Sequence, residues 1–293
     1  MISSTLSLPW QEATWRWRGY NIQYAIAGAG MPVVLVHGFG AAIGHWRKNI
    51  PVLAAAGYQV WAIDLLGFGR SDKPVADYSL ELWQELLTEF AQAHLTTPAV
   101  WVGNSIGGLL CLMMAANQPD LVRGAALLNA AGGLNHRAGE LNPLLSLFLG
   151  GFTRLVGAPV VGKLIFNQIR RRSQIKKTLE QVYCDRAAIT DDLVEMLYQP
   201  SCDPNAPYVF AKILQAPAGP SPEELLPRVE VPLLVIWGEA DPWTPIKGAK
   251  IYQDQAQRLP LEFLGIPQTG HCPHDERPEV VNQGILTWLA ANF

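Results

Sequence analysis

Three residues that can carry out acyl-transfer chemistry occur along the chain in the order serine, aspartate, histidine. Ser105 lies at the centre of a G-x-S-x-G motif, and Asp241 and His271 follow it at long intervals. A serine hydroxyl becomes an effective nucleophile when a neutral imidazole accepts its proton. A carboxylate then orients the imidazole and stabilises the imidazolium that forms. These residue types therefore predict covalent catalysis at a carbonyl carbon.

The segments around Ser105 predict a sharp turn from a strand into a helix. Before the serine, Pro98–Val102 is short and apolar, as in a buried strand. After it, Leu109–Ala116 is rich in helix formers and contains neither proline nor glycine. Side chains two residues before and after the serine would collide with neighbouring backbone, and Gly103 and Gly107 have none. This pattern is typical of a nucleophile elbow.

The proposed acid and base also follow strands. Asp241 comes just after the apolar run Leu233–Trp237, and His271 follows Leu261–Pro267, which we interpret as the last strand. Parallel strands bring their carboxyl ends together at one edge of a sheet. We therefore expect Ser105, Asp241 and His271 to meet at that edge.

Four other polar residues compete for these roles. Glu239 lies two residues before Asp241, which is better placed beyond the strand end. His274 also follows the last strand, but the base is expected directly after a glycine, as at position 271. We interpret His37 as a structural residue at a strand end, and Asp64 as a residue that ties down the loop after it.

No metal site or cofactor is predicted. His271, Cys272 and His274 are close in sequence, but their spacing has no second cluster to complete a set of ligands. The chain contains 4 cysteines without C-x-x-C spacing, which indicates free thiols in a reducing compartment.

The composition excludes several classes of protein. A net charge of -3 gives no support to nucleic-acid binding. The first ten residues lack the features of a signal peptide, and no apolar run approaches the roughly 18 residues of a membrane-spanning helix. We expect a cytoplasmic protein, with a peripheral position on a membrane as a further possibility.

Strand and helix patterns alternate along most of the chain, which predicts a mostly parallel, doubly wound α/β sheet. Exceptions are a predicted hairpin at Thr14–Ile26 and a stretch from about 133 to 219 that shows helical patterns and no convincing strand. We interpret residues 133–219 as a helical cap, inserted after the strand that follows the elbow helix. Residues 1–132 and 220–293 then form the core domain.

The front of this cap is short of charge. Leu144–Phe152 and Pro159–Phe166 are largely apolar, and the basic run Ile169–Lys177 follows them. One interpretation is a cap helix with a solvated basic face. The other is a basic and apolar surface that lies on a membrane or admits a long apolar substrate.

With these residues placed, the chain resembles the serine α/β hydrolases over nearly its whole length. A closer resemblance, to the pheophytinase and chlorophyll dephytylase group, rests on six segments: His37–Gly40, His45–Arg47, Asp64–Asp72, Gly103–Gly108, Leu128–Gly133 and Pro200–Pro204. The resemblance implies cleavage of the phytyl ester of a chlorophyll pigment, next to a thylakoid membrane. It carries the nucleophile, acid and base over to Ser105, Asp241 and His271. In such hydrolases two backbone N–H groups form the oxyanion hole, here those of Phe39 and Ile106.

Related families stay open as alternatives. The meta-cleavage C–C hydrolases share the G-N-S-x-G-G elbow, but they usually carry tryptophan directly after the catalytic histidine, where this chain has Cys272. Dehalogenases and epoxide hydrolases use an aspartate as nucleophile, so Ser105 argues against both. A ligand receptor on the same fold is a further alternative. We expect a small-molecule ester substrate, hydrophobic in character.

Overall fold

The structure, a computed structural model, describes residues 9–135 and 151–293. Eight strands form one sheet in the order β1-β2-β4-β3-β5-β6-β7-β8. Their bounds are Gln11–Trp17, Tyr20–Ala27, Met31–Val36, Tyr58–Ile63, Ala99–Asn104, Val122–Leu128, Leu233–Gly238 and Leu261–Ile266 for β1 to β8. Strands β1 and β2 are an antiparallel hairpin, and β3 to β8 pair in parallel. The predicted doubly wound sheet and hairpin are therefore confirmed.

Eleven helices of the described residues are named α1 to α11 in chain order. Their bounds are Ile50–Ala55, Leu80–His94, Ile106–Asn117, Pro159–Ile169, Arg172–Val182, Asp191–Tyr198, Ala206–Gln215, Pro222–Leu225, Lys250–Gln253, Pro273–Glu276 and Pro278–Asn292 for α1 to α11. Residues 151–157 are also helical. None of the described helices is long and apolar enough to cross a bilayer.

The burial of the central strands explains their apolar sequences. Every residue of β5 and β7 is buried, because helices cover both faces of a parallel sheet. Hairpin strand β1, at the edge, alternates exposed and more buried residues instead. Helix α2 begins after Ser79, whose hydroxyl accepts a hydrogen bond from the Leu82 N–H at 3.2 Å and so caps the helix.

Between β6 and β7 the described residues form helices joined by loops and contain no strand. We call the helical residues 151–157 together with α4 to α7 the inserted helices. The predicted apolar run Pro159–Phe166 lies in α4, whereas residues 144–150 of the other run are outside the described residues. Pro159 is the first residue of α4. Proline has no backbone N–H, and at this position of a helix that N–H would have no acceptor within the helix.

Candidate active site

Ser105 occupies the turn between β5 and α3. Its backbone has φ 58° and ψ -122°, a conformation that residues other than glycine rarely adopt. Two hydrogen bonds join this turn to the end of β6, from the Ser105 N–H to the Leu128 carbonyl and from the Ala131 N–H to the Ser105 carbonyl, each at 3.0 Å. The neighbouring strand thus maintains the strained turn that presents the hydroxyl.

The two elbow glycines are required by close backbone contacts. A Cβ atom on Gly103 would lie 2.2 Å from the Gly107 carbonyl oxygen, and one on Gly107 would lie 2.2 Å from the carbonyl oxygen of Val36. Both distances are far shorter than van der Waals contact. The steric reason inferred from the sequence is therefore confirmed.

His271 and Asp241 form a buried pair at the carboxyl edge of the sheet. The His271 Nδ1 atom lies 2.6 Å from the Asp241 Oδ2 atom. His271 and Ser105 line the same cavity, and Asp241 lies behind His271. The structure therefore brings the three predicted residues to one site.

The Asp241 carboxylate accepts three further hydrogen bonds. The Asn129 side-chain amide donates to Oδ2 at 2.8 Å, and the Thr244 hydroxyl donates to the same oxygen. The Trp243 N–H donates to Oδ1 at 2.7 Å. Sequence reasoning did not identify Asn129 or Thr244. Both follow strands that end at this edge, β6 and β7, and Asn129 also lies in the segment Leu128–Gly133 that carries the family resemblance.

These hydrogen bonds control the ionisation of Asp241. Burial by itself would raise the pKa of the carboxyl. The hydrogen bonds from His271, Thr244 and the Trp243 N–H outweigh this effect and hold the pKa below its usual value. Asp241 is therefore a carboxylate at neutral pH, the form that can orient a neighbouring imidazole.

Replacing Thr244 by valine removes one donor from Asp241 and should raise the pKa of that carboxyl. We expect kcat/KM for p-nitrophenyl butyrate to fall about 10-fold, as for one hydrogen bond to a charged group. A carboxyl with a depressed pKa stabilises the fold above about pH 4 and loses this contribution as the pH falls through its folded pKa. The free energy of unfolding, measured in urea, should therefore fall less between pH 5 and pH 3 in the variant than in the wild type.

Thr88→Val is the matched control for this experiment. The Thr88 hydroxyl donates to the Gln84 carbonyl within helix α2, so its loss leaves Asp241 unchanged. Equal activity and equal acid sensitivity in wild type and Thr244→Val would remove Thr244 from any role at the carboxylate.

The two nearest competitors lie elsewhere. Glu239 is exposed, and its carboxylate lies beside Gly265 rather than against a histidine. His274 is fully buried, with its ring 4.2 Å from that of Trp46 and its Nε2 atom 3.3 Å from His45. Burial holds the pKa of His274 well below its usual value. This histidine is part of the core and does not line the cavity.

His37 and Asp64 hold the loops at the site. The His37 Nε2 atom accepts a hydrogen bond from the Leu65 N–H at 3.1 Å. The Asp64 carboxylate accepts from the Ile43 N–H at 2.7 Å and the Arg70 N–H at 2.8 Å. Both residues are buried, and both have the structural role that the sequence indicates.

The predicted oxyanion donors belong to the residue after Ser105 and to a loop that lines the same cavity as Ser105. Ile106 is the first residue of α3, where a helix presents N–H groups without intrahelical acceptors. Phe39 lies in the loop after β3, and Gly38 of the same loop would place a Cβ atom 3.1 Å from the Ser105 Cβ. Neither N–H is part of the hydrogen bonds found within the described chain. Both remain candidates for binding an oxyanion.

The loop that carries His271 is fastened to the inserted helices. The His271 N–H donates to the Val182 carbonyl at 2.8 Å. The Glu276 carboxylate accepts from the N–H groups of Gly270 at 3.2 Å and Cys184 at 3.0 Å. The proposed base is thus positioned by both the sheet and the insertion.

A second buried connection involves His45. Its Nε2 atom lies 2.9 Å from the Tyr183 hydroxyl, which donates to Asp275 at 2.8 Å. Arg47 is 2.9 Å from the same carboxylate. Burial lowers the pKa of His45 to about 4, so the ring is neutral at physiological pH. Tyr183 follows helix α5, and this chain of contacts joins the insertion to the loop after β3.

The cavity beside Ser105 has a volume of about 270 Å³ and an apolar wall. The inserted helices contribute Phe166, Leu179, Val209 and Phe210 to it, and the core contributes Trp243, whose ring lies 5.4 Å from that of His271. No aspartate or glutamate is among the described lining residues. Such a wall suits an apolar chain. The described residues contain no cluster of three or more metal-ligating side chains.

Comparison with known proteins gives one family and several relatives. The profile of the "Alpha/beta hydrolase family" matches residues 33–283. The chloroplastic pheophytinase of Arabidopsis thaliana is 31% identical over 88% of this chain and 60% of that protein. The 2-hydroxy-6-oxo-6-(2'-aminophenyl)hexa-2,4-dienoic acid hydrolase of Metapseudomonas resinovorans is 29% identical over 93% of this chain and 88% of that protein.

Among solved structures, a membrane phospholipase A that is a bacterial virulence factor superimposes with a TM-score of 0.75 at 27% identity. The match covers 97% of this chain and 87% of that one. The chain thus spans 88% and 87% of two of these relatives, and about three fifths of the plant pheophytinase.

Proposed function

The chain belongs to the alpha/beta hydrolase family, and from this premise we propose that it hydrolyses carboxylic esters of long apolar chains through a covalent acyl-enzyme on Ser105. The observation that carries this proposal is the His271–Asp241 pair at 2.6 Å, placed beside a serine on a strained elbow in an apolar cavity.

Each residue has a defined step in the proposed reaction. His271 accepts the Ser105 proton as the hydroxyl oxygen attacks the ester carbonyl, and Asp241 stabilises the imidazolium. The N–H groups of Phe39 and Ile106 bind the oxyanion. His271 then returns the proton to the leaving alcohol, which leaves an acyl group on Ser105. Water activated by the same imidazole releases the acid.

We take the phytyl ester of chlorophyll or pheophytin as the leading substrate. The apolar cavity wall supports this assignment, as does the 31% identity to pheophytinase. In this proposal residues 133–219 form a cap that accommodates the phytyl chain of the substrate, and residues 1–132 and 220–293 form the core. The enzyme works at the edge of the membrane that contains its substrate.

A C–C bond hydrolase of the meta-cleavage type is the second candidate. It is favoured by the 29% identity to the dienoic acid hydrolase over 88% of that protein. Cys272 argues against this candidate, because the meta-cleavage hydrolases usually carry tryptophan directly after the catalytic histidine. Cys272 is buried and lines the cavity. The two candidates differ in the bond cleaved, so a product assay separates them.

We expect the enzyme to release phytol from detergent-solubilised chlorophyll or pheophytin, with kcat/KM above that for acetate and butyrate esters. Burying one apolar side chain against such a substrate contributes at most roughly 1.5–3 kcal/mol, so a few contacts favour a long chain by orders of magnitude. Products are separated by chromatography, with a meta-cleavage dienone assayed in parallel. Turnover of the dienone without release of phytol would replace the ester proposal by the C–C hydrolase.

A further inference from the structure

Helix α4 is apolar along the face that lines the cavity, and its first two turns are also apolar on the opposite face. Phe166 and Ile169 line the cavity from one face. On the other, Val160 and Leu164 are 73% and 62% exposed, and Val161 between them is 40% exposed. A helix that covers a globular core normally places polar residues on its outer face. The cavity therefore explains only one of the two apolar faces.

The exposed side chains form a single surface. At 100° per residue, Val160, Leu164 and Val161 lie within about 100° of one another around the helix. Leu155, on the helical residues just before α4, is also 54% exposed. We call Val160, Val161 and Leu164 the outer apolar face. Apolar residues exposed together in this way mark an interaction surface rather than ordinary surface variation.

The stretch of sequence that contains this face has only basic charged residues. Residues 151–179 contain seven arginines and lysines and no aspartate or glutamate. Arg172 and Lys176 are 2.6 Å and 3.9 Å from carboxylates of Glu195 and Asp191. Lys163, next to the outer apolar face, has no ion-pair partner among the described residues. A partner for this surface must therefore be apolar at its centre and negatively charged around it.

We propose that the outer apolar face binds the surface of a bilayer that contains anionic lipid, with α4 lying in the plane of the interface. Apolar side chains enter the headgroup and acyl boundary while basic side chains stay at the phosphates. The inner face of the same helix then borders the cavity, next to the source of an apolar ester. The benefit of such binding to the enzyme rests on the proposed function. The binding itself is measured in an assay that needs no hydrolysis.

The test compares vesicle co-sedimentation of the full chain with that of surface variants. Wild type is expected to bind vesicles of phosphatidylcholine with phosphatidylglycerol. Val160→Glu and Leu164→Glu should each lose about 10-fold in partitioning, equivalent to one buried apolar contact. Lys163→Gln should lose about fivefold on anionic vesicles only. Val75→Glu is the control, because Val75 is 72% exposed outside the inserted helices.

The outcomes separate the surface from the active site. Binding lost in Val160→Glu and Leu164→Glu, with Val75→Glu and thermal unfolding unchanged, supports the proposal. Equal binding by all variants, or none by wild type, overturns it. A dimer seen by light scattering that these substitutions dissolve, without vesicle binding, would make this face an interface between two copies. Hydrolysis of detergent-solubilised esters without vesicle binding refutes the surface alone, and binding without any hydrolysis refutes the proposed function alone.

Discussion

The Ser105→Ala variant is expected to lose at least ~1000-fold in kcat/KM for p-nitrophenyl esters, as when one member of a catalytic triad is removed. The physical reason is that no other nucleophile replaces the serine oxygen between His271 and the oxyanion donors. Alanine also has to adopt φ 58°, as serine does, so the backbone strain is unchanged. Thermal unfolding should therefore match that of the wild type.

Two measurements complete this test. Ser201→Ala is the matched control, because Ser201 lines the same cavity while its hydroxyl donates to the Tyr198 carbonyl within its own turn. It should keep nearly full activity. A fluorophosphonate probe should label Ser105 of the wild-type protein, as shown by mass spectrometry of the peptides. Labelling at another residue, or retained turnover in Ser105→Ala, would take the nucleophile role from Ser105.

Asp241→Asn should reduce kcat by about 10³- to 10⁴-fold, the scale expected when the orienting carboxylate of a triad becomes an amide. Oδ2 of Asp241 faces three donors, from His271, Asn129 and Thr244. An amide nitrogen at that position would face donors instead of accepting from them. If the amide rotates, its nitrogen faces the Trp243 N–H. In either orientation a buried donor is left without an acceptor.

Glu239→Gln is the matched comparison for this substitution, with the same loss of charge two residues away. Its side chain is exposed, so activity should change less than about twofold. Steady-state kinetics with p-nitrophenyl butyrate measure both variants, and urea unfolding checks that each is folded. Similar losses in the two variants, or a larger loss in Glu239→Gln, would show that Asp241 is not the acid.

Much of the fold could be predicted because its signals are local. The apolar runs that became β3, β5 and β7 are continuous, as strands covered on both faces must be. Helix α2 has its apolar residues at helical spacing and a serine at its cap, and both signals can be seen in the sequence. The elbow was predicted from two glycines whose absent side chains prevent a collision at 2.2 Å. Each of these signals lies within a few neighbouring residues.

The choice between Glu239 and Asp241 shows where local signals end. Both carboxylates follow β7 in the sequence, and only the direction of each side chain at the strand end separates them. Asp241 turns inward to His271, whereas Glu239 turns outward beside Gly265. That direction depends on how the loop packs against β8 and the residues after it.

The sequence by itself determined the sheet, the elbow and the order of the three candidate catalytic residues, because periodicity, glycine sterics and chain order are properties of nearby residues. Only the tertiary structure decided that Asn129 supports Asp241 across 112 positions of sequence, or that Tyr183 reaches Asp275 across 92. It also decided that α4 has one apolar face at the cavity and one at the surface. Such contacts join segments that no local pattern relates, since they depend on how the chain brings distant strands and helices together.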